Sequence, residues 1–265
     1  VSEPANLPSS LRLDDRVAVV IGGTGILCSR MAGVLAEAGA RTVIIGRDQV
    51  KAGAVLDRLR AGGRNVTFES CDAVSRTQLR SLVGRILASR GSIDILVNGA
   101  GLNSSTPFLD ISDEEMERMV AVNQFATMRS CQEFGKYFVE RAQSSGVGAS
   151  IINIGSASGL NPLSRVFTYS MSKAAVHNLT KSLAREWGPF GIRCNVLVPG
   201  FFPAEQNRAI LTPERIDQIL RHTPMGRFGD PDELTGATLL LASDAGRFIT
   251  GTELVVDGGF SVVSV

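Results

Sequence analysis

Residues 17–28 read VAVVIGGTGILC, five apolar residues from Val17 to Ile21 running straight into a glycine-rich turn. A short, β-branched run of this kind suits a strand covered on both faces. The residues that follow, 26–38, carry an amphipathic helical pattern, so the stretch predicts a strand, a tight turn and a helix. In such a unit the glycines let backbone N–H groups approach a pyrophosphate, and the helix N-terminus favours its charge. Gly22, Gly23 and Gly25, with Thr24 and Ile26 beside them, are the candidate cradle. The same glycines also suit a tight turn with no ligand. Where a G-x-G-x-x-G fingerprint has its last glycine, this chain has Cys28.

The unit repeats along the chain. Strands are predicted at 17–21, 42–45, 66–68, 94–97, 150–154, 193–198 and 253–256. Amphipathic stretches lie near 26–38, 49–61, 75–89, 113–142, 169–187 and 231–242. This alternation predicts an α/β fold: a single-domain, doubly wound parallel sheet of Rossmann type, about seven strands, with helices on both faces. Residues 1–10 form a polar lead with two prolines, expected to be flexible, and 11–265 form the dinucleotide-binding domain. Ligands in such sheets bind beyond the carboxyl ends of the strands.

Composition narrows the partners. The formal net charge is +1 with no block of like charges, which argues against nucleic acid or an anionic membrane as partner. No apolar run approaches the roughly 18 residues of a membrane span, and no signal-peptide pattern opens the chain. Cys28, Cys71, Cys131 and Cys194 are scattered without C-x-x-C pairing and read as reduced thiols of a cytoplasmic protein. The two histidines, His177 and His222, sit in no metal-ligand pattern, so no metal is expected. His177 reads as a packed or interfacial residue.

The second strand ends in Gly46-Arg47-Asp48. An acid at this point would hydrogen-bond the ribose hydroxyls of NAD, whereas an arginine would pair with the 2′-phosphate of NADP. Arg47 favours NADP over NAD. Asp48, one residue on, keeps NAD open.

Three features carry chemistry. Tyr169 and Lys173 stand at i and i+4 and share one helix face. Ser156 follows the strand SIINI. Asn123 lies in the helical stretch before that strand. Together with the glycine turn they resemble the classical short-chain dehydrogenase/reductase family. The resemblance covers about residues 11–261. It includes Asp72 and Ala73 in CDAVS, Asn98-Gly99-Ala100-Gly101 where the family has N-N-A-G, Pro199-Gly200, and Val256-Asp257-Gly258-Gly259.

The resemblance implies a catalytic set of Asn123, Ser156, Tyr169 and Lys173. Tyr169 would exchange the proton on the substrate oxygen, its phenol lowered from about 10 by Lys173 and a cationic nicotinamide. Ser156 would hydrogen-bond the same oxygen, Lys173 would also hold the nicotinamide ribose, and Asn123 would support a water-linked proton path. Beside the glycine turn and residues 47–48, the implied cofactor contacts are Asp72, Ala73, Asn98, Ala100, Gly101, Tyr169, Lys173, Pro199, Gly200 and Phe202. A substrate lid is implied near 200–225, and a homotetramer or homodimer through the helices at 113–142 and 169–187. The reaction implied is hydride transfer between NAD(P) and a secondary alcohol or ketone.

The strings GGTGIL, NGAG and GFFPAEQNR are further similar to a sugar-acid subgroup, the D-mannonate oxidoreductases and gluconate dehydrogenases. Asn103, Ser104, Asn161, Arg165, Gln206, Asn207 and Arg208 offer amides, a hydroxyl and guanidinium groups suited to a hydroxylated carboxylic acid. Two other readings stand beside it: a 3-oxoacyl thioester (acyl-carrier-protein) reductase, and an NADP-binding sensor without turnover. The departures from the family are Ile21, Ile26 and Cys28 in the T-G-x-x-x-G-x-G rhythm, Gly99 for asparagine, and Ala204 at a frequent threonine position.

Overall fold

The computed structural model describes residues 7–202 and 212–262. Seven parallel strands form one sheet in the order β3-β2-β1-β4-β5-β6-β7. They are β1 (Val17–Ile21), β2 (Arg41–Gly46), β3 (Val66–Ser70), β4 (Ile95–Asn98), β5 (Ala149–Ile154), β6 (Ile192–Pro199) and β7 (Glu253–Val256). Every predicted strand is present, because each predicted run is the one that fills a doubly covered sheet. Along β1, Ala18 and Val20 face one apolar layer and Val17, Val19 and Ile21 the other, and all five are at most 3% exposed.

The helices are α1 (Ile26–Glu37), α2 (Gln49–Arg60), α3 (Arg76–Arg90), α4 (Asp113–Val120), α5 (Ala126–Ser145), α6 (Phe167–Trp187), α7 (Pro213–His222) and α8 (Thr235–Ala242). One face of the sheet packs on α1, α2 and α8, through Met31, Leu35, Leu59 and Leu239. The other packs on α3, α5 and α6, through Leu79, Phe134, Phe138 and Ala184. The chain reverses direction between β1 and β4, and the crevice above that point is where doubly wound sheets take their ligands.

Two elements differ from the sequence expectation. The stretch 113–142 is not one helix: a π-helical turn, Ala121–Phe125, separates α4 from α5. Helix α7 was not predicted, although its start is signalled locally. Thr212 caps the N-terminus by accepting from Arg215 N, and Pro213 occupies the first turn. All four cysteines are buried and unbridged. Among the described residues no helix is long and apolar enough to cross a membrane, and no cluster of potential ligands could hold a metal ion.

Candidate active site

The glycine turn forms between β1 and α1. Gly22 has a φ of +79°, and a β-carbon there would lie 2.8 Å from Gly99 C and 2.9 Å from Ala100 N. A side chain at Gly23 would meet Ile44 Cβ at 2.7 Å. Only glycine fits both places. Gly25 caps α1 without any side-chain hydrogen bond, so among the described residues the N-terminus of this twelve-residue helix has no side-chain cap. The N–H groups of Gly22, Gly23 and Gly25 are taken by the carbonyls of Ile45, Val20 and Gly22, so the glycines give the turn its shape, and the N–H groups a phosphate would meet are those of the first turn of α1. Cys28 lies one turn in, 6% exposed, with its thiol pushed up to about 11 by burial. Its Sγ sits 3.8 Å from Gly99 O, and a β-carbon on Gly99 would overlap it. The room that the larger residue needs comes from residue 99.

At the end of β2, Arg47 is exposed. Asp48 is the N-cap of α2, its Oδ1 accepting from Val50 N and Lys51 N, each at 3.0 Å. At the end of β3, Asp72 turns back to accept from Val74 N at 3.1 Å, with Ala73 buried beside it. Asn98, at the end of β4, points into the interior. Its amide donates to Asn153 Oδ1 at 2.8 Å and its oxygen accepts from Ser130 at 2.7 Å, so it reaches the crevice only through its backbone.

Ser156 follows β5, and Tyr169 and Lys173 sit in the first two turns of α6. Lys173 Nζ donates to Ile154 O at 2.8 Å and lies 5.8 Å from the centroid of the Tyr169 ring. Burial lowers the lysine to about 8. Burial also raises the Tyr169 phenol, and a hydrogen bond with Ser156 works against that rise. The protein alone therefore does not lower the phenol, since burial outweighs the Ser156 hydrogen bond. Gly101 closes the gap between the loop after β4 and this cluster: a β-carbon there would lie 3.5 Å from Asn123 Oδ1 and 3.8 Å from Lys173 Nζ.

Asn123 is fully buried within the π-helical turn. Its Oδ1 accepts from Leu102 N at 2.7 Å, and its amide donates to Leu102 O and Ser172 Oγ, both at 3.0 Å. Ser172 Oγ in turn donates to Tyr169 O at 2.7 Å. The side chain thus ties the loop after β4 to the helix that carries Tyr169. The extra residue of the turn is what lets an asparagine point inward here. Ser172, whose link to Asn123 no spacing rule announces, was missed by the sequence reading.

The expected substrate residues divide. Ser104 donates to Glu115 at 2.5 Å, and Thr106 donates to the same carboxylate at 2.7 Å, so Glu115 braces this loop. Asn103 accepts from Ser104 N at 2.8 Å. Arg165 is exposed with a left-handed φ of 65°, between Ser156 and Tyr169 in the chain. Asn161 donates to Ser261 O at 2.9 Å and anchors the final turn. Gln206, Asn207 and Arg208 lie outside the described residues. Of the residues after β6, Gly200 is pressed against Asp257: a β-carbon there would lie only 2.6 Å from Asp257 Cα. Pro199 ends the strand. Phe202, expected at a cofactor, is 4% exposed and packs in the core against Gly229.

Residues 25–261 match the family described as Enoyl-(Acyl carrier protein) reductase. Among curated proteins, galactitol 2-dehydrogenase of Rhizobium johnstonii is 36% identical over 257 residues, covering 94% of this chain and 96% of that protein. The D-threitol dehydrogenase of Mycolicibacterium smegmatis is 32% identical over 251 residues, covering 95% of each. Among solved structures, a gluconate 5-dehydrogenase from Burkholderia cenocepacia in complex with NADP and tartrate superposes with a TM-score of 0.90. It is 33% identical, with 96% of this chain and 98% of that one covered.

Proposed function

Because the chain belongs to the classical short-chain dehydrogenase/reductase family, and so is an NAD(P)-dependent oxidoreductase of CH–OH groups, we propose that it interconverts a polyol or sugar acid with its ketone, using NADP and the residues Ser156, Tyr169, Lys173 and Asn123. The observation that carries this reading is continuity. Gly22 abuts Gly99 and Ala100, and Gly101 abuts Asn123 and Lys173, so the phosphate cradle and the tyrosine cluster share one wall. The nicotinamide, when bound, supplies or accepts the hydride. Tyr169 gives or takes the proton at the substrate oxygen. Ser156 donates to the same oxygen as charge develops on it, a contribution of about 3 kcal/mol. Lys173 sets the charge beneath the phenol and is held in place by Ile154 O. Asn123 keeps the β4 loop against α6.

The polyol and sugar-acid class follows the galactitol, threitol and gluconate dehydrogenases to which the chain is similar. It suits Arg165 as a carboxylate partner and Asn103 as a hydroxyl partner, with Gln206, Asn207 and Arg208 as further candidates. The family description names a carrier-bound acyl thioester, which keeps the second reading in view, reduction of a 3-oxoacyl thioester. Parallel assays separate the two. Galactitol, D-threitol and D-gluconate are offered with NADP and with NAD, and a β-ketoacyl thioester with NADPH. Oxidation of at least one polyol or sugar acid is expected, and turnover of the thioester alone overturns the proposal.

The preference for NADP rests on Arg47 being exposed while the Asp48 carboxylate is held by the first turn of α2. Arg47→Ala should lower kcat/KM for NADPH about 10- to 100-fold, the worth of a charge-assisted hydrogen bond to phosphate. NADH kinetics should stay unchanged. An equal loss with both cofactors would sink the assignment. Self-association as a homotetramer or homodimer fits the exposed Met116, Phe125, Met128 and Met171 on α4 to α6. A reducing cytoplasm fits the four buried, unbridged thiols.

A further inference from the structure

We infer that His177 is a positioning residue for Ser156: its neutral imidazole, fixed in the Nδ1–H tautomer, accepts the Ser156 backbone N–H and so holds the serine hydroxyl in line with Tyr169. The inference rests on the role proposed above for Ser156.

The geometry is specific. His177 lies on α6 one turn after Lys173 and is 4% exposed. Ser156 N–H donates to its Nε2 at 3.3 Å, and Ser156 is the second residue beyond β5, where the strand ladder no longer supplies an acceptor. The ring occupies a slot left by two glycines. A β-carbon on Gly155 would overlap Nε2, and one on Gly159 would come within 3.2 Å of Cε1. An Nε2 that accepts cannot carry a proton, so the neutral ring must hold its hydrogen on Nδ1. That atom lies 3.4 Å from Glu253 Oε1 on β7, too poorly aligned for a full hydrogen bond, and Glu253 is itself paired with Lys181 Nζ at 2.7 Å. Carboxylate, imidazole and serine amide form one line from β7 to the site.

Protonation of the ring would set an N–H against an N–H and release the serine. The groups facing the ring are Glu253 from β7, and Lys173 and Lys181 from α6. Burial lowers the imidazole; Glu253 opposes this, and the two lysines add to it. The acceptor is therefore present at neutral pH and is lost only below the ordinary histidine value of about 6.5.

The test reads the serine directly. In ¹⁵N-labelled protein with NADP, the Ser156 amide resonance should shift as the pH falls below about 6.5 and stay flat in His177→Gln, whose amide oxygen replaces Nε2 without titrating. A His222→Gln control removes the chain's other imidazole. The kinetic arm is NADPH-dependent reduction of L-tagatose, the ketose formed by a galactitol 2-dehydrogenase to which the chain is similar, a direction in which acid does not disable Tyr169 as proton donor. The wild type should lose rate in acid, His177→Gln should not, and His177→Leu should lower kcat about 10- to 100-fold with little change in the KM for NADPH. A flat Ser156 amide in the wild type overturns the inference, as does an acid limb that persists in His177→Gln. The amide titration decides the matter even if L-tagatose is not reduced or His177→Leu does not fold. Ser156→Ala with wild-type kcat would remove the underlying role of Ser156, and the inference with it. A crippled Ser156→Ala beside an indifferent His177→Leu would overturn the inference alone.

Discussion

Phenylalanine at position 169 is expected to lower kcat about 10³-fold in both directions, while NADP binding changes by less than about threefold. The substitution removes one oxygen from a ring whose carbon framework still packs beside Lys173 and Ser156. What disappears is the atom that carries the proton. Ser156 can polarise the substrate oxygen, but at neutral pH its hydroxyl cannot supply or remove a full proton. The sign of the phenol shift sharpens the expectation. Burial raises Tyr169 in the protein itself, so it is protonated at neutral pH and ready to donate in ketone reduction. Alcohol oxidation needs the phenolate, which Lys173 must favour against burial. Oxidation by the wild-type enzyme should therefore gain rate as pH rises above 7 while reduction does not. Steady-state rates with NADP fluorescence titration would check both points. Residual activity above about a tenth of wild type in the variant would remove Tyr169 from the chemistry.

The seven strands were legible because parallel strands covered on both faces need continuous β-branched and aliphatic runs, and VAVVI or SIINI can serve no other place. The order of Ser156, Tyr169 and Lys173 along the chain was legible too, since the end of β5 and one face of α6 must meet above the sheet. Side-chain direction was not. Asp48 and Asn98 stand where a cofactor residue stands, yet one caps α2 and the other turns inward to Asn153 and Ser130. The π-helical turn was hidden because the polar partners that favour an inward Asn123, Leu102 and Ser172, are distant in sequence. Helix α7 is a different case: Thr212 and Pro213 signalled it locally. His177 read as packing, which it is, but its partner is the amide of Ser156, on another element.

The second large effect concerns the glycine turn, where two departures from the family pattern meet. A single methyl group, Gly99→Ala, is expected to destabilise the protein by about 3 kcal/mol, the upper range for overpacking. That corresponds to a Tm lowered by roughly 6–12 °C for a chain of this size. The added carbon would overlap Cys28 Sγ and come within 3.3 Å of Ile21 O and Ile154 Cγ1. The strand oxygen cannot move without disturbing β1, so the thiol must yield, and it is enclosed at 6% exposure. Cys28→Ala alone should cost about 1 kcal/mol, from the small void it leaves. In the double variant the two changes should compensate, giving a coupling of about 2 kcal/mol between residues in contact. Effects that add to within about 0.5 kcal/mol would show that the cysteine and the glycine are independent. NADPH affinity should follow stability, falling in Gly99→Ala and recovering in the double variant. Gly22 is packed so closely on Gly99 that a β-carbon on it would lie 2.8 Å from Gly99 C, so a displaced residue 99 displaces the phosphate cradle. In this chain the thiol at residue 28 has taken the space that a side chain at residue 99 would fill, and the cradle depends on both.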